Sequence, residues 1–293
     1  MSINLRSMIF VPGYRRRFLE RSRRFMADAL ILDLEDSVPH ADKELARENI
    51  RQAIQQGNYQ QQIYIRINPL ETGLCSADLE AMMLPQVAGF MPTKICGPED
   101  IVKLDGILSS LEERYGFDHG KFRLCPLIET AAAVMFAHPI ALASKRMIAL
   151  VFGGEDYLND LEGLHKEHGT SLLVPRSLIV IAARAAGVEV IDTPFLDLDD
   201  EQGLKKEVDL ARELGFTGTL LIHPSQIEIA NAAFSPKPEE IRESRRIVAS
   251  IEASQADGTS VALLDGKLIG PPMLKRALRI LEQVERFGDP DTQ

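Results

Sequence analysis

Short apolar runs alternate with segments of helical spacing along most of this chain, and this alternation restricts its fold more than any other feature. The run at residues 7–12 closes at Pro12-Gly13, and Phe18, Leu19 and Phe25 then follow at helical spacing. Eight runs of this kind can be identified. The predicted strands are residues 7–12, 29–36, 63–69, 89–92, 123–128, 147–152, 188–194 and 218–224.

The segments between these runs have the spacing and polarity of surface helices. Residues 157–174 are predicted to form a long polar connection, and the next helix to begin at Pro175, because proline suits a first helical turn. The predicted helices are residues 14–26, 42–56, 77–87, 98–115, 131–144, 175–186 and 199–214. Eight strand–helix units in 293 residues predict an α/β fold, a closed (β/α)8 TIM barrel and not an open sheet.

A smaller C-terminal region is expected to follow the barrel. The barrel is assigned to residues 1–235 and a helical extension to residues 236–293. The predicted parts of the extension are a helix at 238–255, a turn-rich segment at about 258–272, a helix at 273–287 and a disordered tail at 288–293.

Polar residues interrupt the apolar runs where the predicted strands end. They are Glu35, Asp36, Arg66, Asn68, Glu129, Asp156, Asp192 and His223. In a (β/α)8 barrel the carboxyl ends of the strands carry the active site, so this recurrence predicts an enzyme. Glu129 and Asp156 follow neighbouring strands and would repel each other unless a proton or a divalent cation lay between them.

Each of these residues also has a structural interpretation. A single acid at a strand end could be a helix N-cap or half of an ion pair. Arg66 could be a buried partner of Glu35 or Asp36, and His223 could cap the following helix or touch a substrate. The spacing of His165 and His168 superficially resembles a zinc site, but their polar loop lacks the helix that such a site needs.

Charge and composition exclude several classes of partner. A formal net charge of −10 and a pI of about 5.2 argue against a nucleic-acid binder held by phosphate contacts. The arginines between residues 15 and 24 spread around a predicted helix, which is typical of a solvated surface, with an anionic ligand as the alternative. No run approaches the roughly 20 apolar residues of a membrane span. The isolated Cys75, Cys96 and Cys125 fit a reducing compartment, so we expect a cytoplasmic protein.

Several short motifs, taken together and in order, carry a resemblance to a known family. They are Phe10-Val11-Pro12-Gly13, Leu32-Asp33-Leu34-Glu35-Asp36-Ser37, Arg66-Ile67-Asn68, Pro126-Leu127-Ile128-Glu129-Thr130, Gly153-Gly154-Glu155-Asp156, His223-Pro224-Ser225-Gln226 and Asp265-Gly266-Lys267. With them the chain resembles the citrate lyase beta-subunit-like group of the HpcH/HpaI aldolase superfamily, which includes malyl-CoA and citramalyl-CoA lyases.

The resemblance implies a barrel that binds Mg²⁺ through Glu129 and Asp156, with a 2-hydroxy or 2-oxo acid completing the metal shell. It implies that Arg66 faces the thioester oxygen and stabilises the enolate formed during cleavage. Glu35 and Asp36 would lie near the metal and orient waters and Arg66.

The resemblance also assigns a role to the turn-rich segment of the extension. In the CoA-dependent relatives this segment is a lid from a neighbouring subunit, and its aspartate, matched by Asp265, is the acid/base. A homotrimer or homohexamer is therefore expected. Asparagine is commoner at this position in citrate lyase beta subunits, so Asp265 favours an acyl-CoA lyase. Asp265-Gly266 is also a common turn pair.

One position departs from the family pattern. The family commonly has Leu-Pro-Lys at the fourth strand, where this chain has Met91-Pro92-Thr93-Lys94. The resemblance therefore assigns no substrate or CoA role to Lys94.

The expected function is a Mg²⁺-dependent carbon–carbon lyase that cleaves a 3-hydroxyacyl-CoA by a retro-aldol step. Citramalyl-CoA, giving acetyl-CoA and pyruvate, is the favoured substrate, and a malyl-CoA type is also considered. The main alternative is a citrate lyase beta subunit, which converts the citryl thioester of an acyl carrier protein to oxaloacetate and acetyl thioester. Hydrolysis or condensation of the same enolate, and a non-catalytic barrel that binds CoA ligands, are the remaining alternatives.

Overall fold

The computed structural model describes residues 4–164, 170–256 and 259–287. The chain divides into two compact units, Met1–Asn231 and Ala232–Gln293. Within the described residues, no helix is both long enough and apolar enough to cross a bilayer.

The first unit is built on a parallel sheet. Its strands are β1 Ser7–Pro12, β2 Ala29–Asp33, β3 Gln62–Ile67, β4 Val87–Pro92, β5 Arg123–Leu124, β6 Leu127–Ile128, β7 Ala149–Phe152, β8 Glu189–Asp192 and β9 Gly218–Leu221. Their hydrogen-bonded order is β5-β4-β3-β2-β1-β9-β8-β7-β6. Each strand pairs with the next along the chain except β5 and β6, and β1 also pairs with β9.

The sheet closes into a barrel because β5 and β6 share one position. β5 pairs with β4 and β6 pairs with β7. Between them, the Leu124 N–H donates to the Arg146 carbonyl and the Ile148 N–H donates to the Leu124 carbonyl. Pro126, which has no N–H to donate, lies in the interruption between the two strands. Eight strand positions result, which confirms the predicted (β/α)8 barrel.

Side chains fill the interior of the barrel. Tyr64 is its largest member, and its hydroxyl donates to the Gln62 side chain at 3.0 Å. The buried interior cluster comprises Leu5, Met8, Ala29, Ile31, Tyr64, Met91, Cys125, Leu127, Ala149, Val151, Ile191 and Leu220. The barrel is therefore a packed core, and ligands can reach only its ends.

Helices surround the barrel in chain order. They are α1 Arg16–Ser22, α2 Lys43–Gln56, α3 Cys75–Ala81, α4 Pro98–Tyr115, α5 Ala131–Met135, α6 Ala137–Leu142, α7 Gly154–Asp160, α8 Thr170–Ala186, α9 Glu201–Leu214 and α10 Ile227–Phe234. Short 3-10 turns occupy His40–Asp42, Leu70–Thr72 and Pro224–Gln226.

Three helix predictions were wrong, two of them at prolines. The helix predicted over residues 77–87 spans Cys75–Ala81, and Val87 already belongs to β4. The helix predicted over 131–144 is divided at Phe136, because Pro139 cannot donate to the carbonyl of Met135. The helix predicted to begin at Pro175 begins at Thr170, with Pro175 inside it. The connection predicted at 157–174 contains most of α7.

A buried ion cluster ties α4 to the barrel. Arg146, which is 2% exposed, donates to both carboxylate oxygens of Glu112 at 2.6 Å and to Asp105 at 2.5 Å. Glu112 also accepts from the N–H groups of Gly120 and Phe122. Burial alone would raise the pKa of Glu112, but these donors outweigh it and hold the pKa below its usual value.

The second unit is a helix pair with a β-hairpin. Its remaining elements are α11 Pro238–Ala256, β10 Ala262–Leu264, β11 Lys267–Ile269 and α12 Pro271–Phe287. The two strands pair antiparallel. Asp265 and Gly266 form the two-residue hairpin turn. Their φ angles are 49° and 74°, and hairpin turns with two central residues of positive φ favour an Asp-Gly pair.

Candidate active site

Charged side chains from five strand ends lie at the carboxyl end of the barrel. Glu129 follows β6, Asp156 lies in the first turn of α7 after β7, and Lys94 follows β4. Arg66 is the penultimate residue of β3, and Glu35 follows β2. The sequence predicted four of these residues for the site, and Lys94 is the addition.

Glu129, Asp156 and Lys94 form one contact group. The Lys94 ammonium lies 2.6 Å from Asp156 Oδ1 and 3.6 Å from Glu129 Oε1. The Lys94 backbone N–H also donates to Glu129 Oε1 at 2.7 Å. The two acids therefore converge on one positive charge, and that charge belongs to Lys94, where the sequence predicted a proton or a divalent cation. Burial alone would lower the pKa of Lys94, but the bond to Asp156 and the charge of Glu129 raise it.

The local backbone fixes the position of Glu129. Thr130 caps α5, since its hydroxyl accepts from the Ala133 N–H at 3.0 Å. Gly153 lies against Glu129 from the neighbouring strand end, and a Cβ there would come within 2.6 Å of the Glu129 Cβ. Only glycine leaves room for Glu129 in this position.

The environment of Glu129 makes this acid harder to ionise than a solvent-exposed glutamate. The side chain is 2% exposed, and burial raises its pKa to about 7. Lys94 opposes this shift, while the negative charges of Asp156 and Glu35 add to it. A further cation at this position would stabilise the charged form of Glu129.

Arg66 is held by a carboxylate that the sequence analysis did not single out. Its Nε and Nη2 donate to the two oxygens of Asp33 at 2.6 Å, and Nη1 lies 3.2 Å from Glu35. The guanidinium also stacks over the Phe10 ring, 4.5 Å from its centroid. Asp33 and Arg66 are paired in the β2–β3 register, and this pairing could have revealed the contact.

The acids beside Arg66 differ in environment. Burial would raise the pKa of Asp33, but Arg66 and Ser37 outweigh burial and lower it, so Asp33 is ionised. Burial raises the pKa of Glu35 to about 7, although Arg66 opposes the shift. Asp36 is exposed, and its N–H donates to Glu35 at 3.0 Å. Arg66 is therefore fixed by Asp33 first and Glu35 second.

The donor atoms of this site fit Mg²⁺. This ion takes oxygen ligands, often one or two carboxylates with water and substrate in the remaining positions. Glu129 and Asp156 already hold one cation, the Lys94 ammonium, whose charge stands where a metal charge would act. In the described ranges, no group of three or more His, Cys, Asp or Glu side chains could hold a metal, so any metal here needs outside ligands.

The other predicted strand-end residues have structural partners. Asp192 pairs with Arg176, and Asn68 donates to the Leu34 carbonyl and to Asp78. His223 caps the 3-10 turn after β9 together with Gln226. The residues His165 and His168 lie outside the described ranges.

Asp265 belongs to the second unit. Its side chain is 65% exposed and accepts from Arg246 at 2.8 Å. This bond lowers the pKa of Asp265, so the residue is a carboxylate able to accept a proton. Its predicted acid/base role remains a prediction.

Known proteins resemble this chain over nearly its whole length. Residues 6–224 match the family model described as HpcH/HpaI aldolase/citrate lyase. The chain is 33% identical to the citrate lyase subunit beta of Haemophilus influenzae over 281 residues, 96% of this chain and 97% of that protein. It is 32% identical to a (3S)-malyl-CoA thioesterase of Cereibacter sphaeroides over 284 residues, 97% of this chain and 95% of that protein.

A solved structure shares the fold. CitE of Mycobacterium tuberculosis, in complex with magnesium, acetoacetate and coenzyme A, superposes with a TM-score of 0.78. The sequence identity is 27%, and the match covers 95% of this chain and 97% of that chain.

Proposed function

This chain belongs to the HpcH/HpaI aldolase/citrate lyase family, and we propose that it is a magnesium-dependent lyase that cleaves a carbon–carbon bond in a 3-hydroxyacyl-CoA. Citramalyl-CoA, giving acetyl-CoA and pyruvate, is the favoured substrate, and malyl-CoA-type esters come second. One observation carries the proposal: two acids converge on one cation, at the barrel end that also holds the partly buried guanidinium of Arg66.

The paired acids supply the metal site of this proposal. Glu129 and Asp156 would hold Mg²⁺, which supplies Lewis-acid chemistry at the oxygen next to the cleaving bond. The magnesium and acetoacetate named for the M. tuberculosis structure support this assignment. Glu35 and Asp36 would orient water and Arg66 at the edge of the same site.

Arg66 is suited to stabilise the developing enolate. Three of its five N–H groups face Asp33 and Glu35, which leaves two for a thioester oxygen. Since Asp33 fixes the guanidinium from behind, little reorganisation is needed as negative charge develops.

Proton transfer is assigned to Asp265, on the lid of a neighbouring subunit. Asp265 takes the proton of the substrate hydroxyl, and the oxygen lone pair forms the carbonyl of the 2-oxo acid. The carbon–carbon bond breaks, and its electrons pass to the thioester as an enolate. Returning the proton to the enolate carbon gives acetyl-CoA, so atoms and charge balance.

Product analysis tests this proposal. Malyl-, methylmalyl-, citramalyl- and citryl-CoA are each incubated with Mg²⁺ or with a chelator, and the products are identified by mass spectrometry. We expect acetyl-CoA and pyruvate from citramalyl-CoA only when Mg²⁺ is present. Absence of carbon–carbon cleavage from every ester would overturn the proposal.

Two other members of the family set the alternatives. The similarity to a citrate lyase subunit beta favours action on a citryl thioester of an acyl carrier protein, with an alpha subunit as partner. Activity of the isolated chain on free CoA esters would count against it.

The similarity to a (3S)-malyl-CoA thioesterase favours hydrolysis, which would release malate without acetyl-CoA. A non-catalytic barrel would show no Mg²⁺ binding by calorimetry.

A further inference from the structure

Lys94 contacts both acids of the proposed metal site, with two different groups. Its backbone is in the left-handed region, with φ of 53°, at the end of β4. In this conformation the N–H donates to Glu129 at 2.7 Å, and the ammonium lies 2.6 Å from Asp156. One residue therefore holds two acids that come from different strand ends.

The ammonium and a metal ion held by Glu129 and Asp156 would compete for the same two carboxylates. Mg²⁺ binds oxygen at roughly 2.0–2.1 Å and requires near-octahedral geometry. A protonated lysine has three donors and no lone pair, so it competes for a carboxylate and cannot itself be a ligand. The ammonium and a Mg²⁺ ion bound to the same carboxylates would also repel each other. The Lys94 ammonium must leave Asp156 when a metal binds.

Lys94 has a route away from the acids. Its side chain is 33% exposed and that of Asp156 is 40% exposed, whereas Glu129 is buried. The flexible lysine side chain can therefore rotate towards solvent without moving the backbone. Its N–H would continue to hold Glu129 during this exchange, because that bond does not involve the ammonium.

We propose that Lys94 is an internal counter-cation, which offsets part of the negative charge of Glu129 and Asp156 in the metal-free protein and is displaced from them by Mg²⁺. This inference rests on the proposed magnesium site. It gives the Pro92-Thr93-Lys94 segment a role in setting metal affinity. The role differs from binding substrate, because Lys94 acts before any substrate is present.

Calorimetry on the whole chain without substrate tests the proposal. Lys94→Met removes the charge but keeps the backbone N–H and most of the apolar length. We expect Mg²⁺ to bind more tightly to this variant, by about 5- to 150-fold, the usual range of a coupling between two binding events. Lys103→Met is the matched control, because Lys103 is an exposed lysine on α4 that pairs with Asp100. Its Mg²⁺ affinity should equal that of the wild type.

The outcomes separate this proposal from the proposed function. Tight Mg²⁺ binding by the wild type, with equal or weaker binding by Lys94→Met, overturns the role of Lys94 and leaves the metal site intact. No binding by either protein overturns both. Lys94→Arg keeps the charge and should bind Mg²⁺ as weakly as the wild type. An arginine variant that bound as tightly as Lys94→Met would also overturn the proposal.

Thermal unfolding provides a second readout that does not depend on activity. Without metal, Lys94→Met leaves the two acids without their counter-cation, so its Tm in chelator should fall below that of the wild type. Saturating Mg²⁺ should raise its Tm by more than it raises the wild-type Tm. An equal rise in both proteins would contradict displacement.

Discussion

At the scale of single residues, Glu129 combines burial with a second acid, Asp156, and with the Lys94 ammonium. Burial raises its pKa to about 7, and the Lys94 N–H and ammonium oppose that shift. A metal cation bound at Glu129 would stabilise its charged form and so offset the effect of burial. This is the physical basis for treating Glu129 as a metal ligand and not as a general acid.

Glu129→Gln should abolish Mg²⁺-dependent turnover while the fold is retained. The amide keeps the shape of the side chain and can still accept from the Lys94 N–H, but it removes the charge that holds the metal. Product formation and calorimetric Mg²⁺ titration check both losses. Glu80→Gln, at an exposed acid that pairs with Arg114, is the matched control and should remain active. A fully active Glu129→Gln variant would refute the assignment.

Sequence reasoning found Glu129, Asp156 and Arg66 because each ends an apolar run. It missed Lys94, since the contact depends on a left-handed backbone that the family pattern did not indicate. It also missed Asp33, although the Asp33–Arg66 pairing follows from aligning β2 with β3. The roles of these residues as metal ligands or catalysts remain predictions.

At the scale of elements, α4 depends on the buried Arg146–Glu112 pair. The pair joins the helix to the segment that enters β7. Removing one partner of such a pair leaves a buried charge uncompensated, typically at a loss of about 3–5 kcal/mol in stability. Exposed pairs such as Arg51–Glu48 contribute far less.

Glu112→Gln should weaken the dependence of stability on acid pH. The folded pKa of Glu112 lies below its ordinary value of 4.5, so its stabilising contribution is present above pH 4.5. That contribution is lost as the pH falls through the folded pKa. The free energy of unfolding is measured with denaturant at about pH 7, 5, 4 and 3, which span this window. It should fall less steeply with decreasing pH for Glu112→Gln than for the wild type. Glu48→Gln is the exposed control, and equal slopes in all three proteins would contradict the prediction.

Element boundaries were predictable where proline and glycine act locally. The bounds of α4 agree with the prediction, because Pro98 begins it and Gly116 ends it in a left-handed conformation. Pro139 and Pro175 misled, since the tolerance of a helix for proline depends on which carbonyl loses its partner. The interruption between β5 and β6 was not predicted, because it depends on pairing with two different neighbours.

At the scale of the whole molecule, the proposed mechanism needs residues from two subunits. Glu129→Gln and Asp265→Asn should each be inactive alone. If the lid of one subunit serves its neighbour, mixed oligomers contain sites with both wild-type residues, and about a quarter of the activity should return. Activity assays after co-refolding or co-expression check this. Persistent inactivity, with mixing verified by mass spectrometry, would contradict a lid supplied by the neighbouring subunit, whereas full activity of Asp265→Asn alone would place Asp265 outside the reaction.

The barrel could be predicted because eight alternations of strand and helix leave few other topologies for a chain of this length. The lid role of the second unit could not. A turn at Asp265-Gly266 was predictable from the residue types, but no local pattern states whether that turn closes an active site or which subunit would receive it. The lid therefore stays a prediction.

The proposed metal site also depends on Gly153, a residue that has no functional group. A methyl group there would lie 2.6 Å from the Cβ of Glu129 and 2.9 Å from its Oε2. Gly153→Ala should therefore reduce Mg²⁺ affinity, measured by calorimetry, although every predicted ligand is still present. Unchanged affinity would show that Glu129 can yield. A comparison of related sequences that considers only the charged residues would score this site as intact. Retention of the metal site therefore requires the glycine beside Glu129 as well as the ligands themselves.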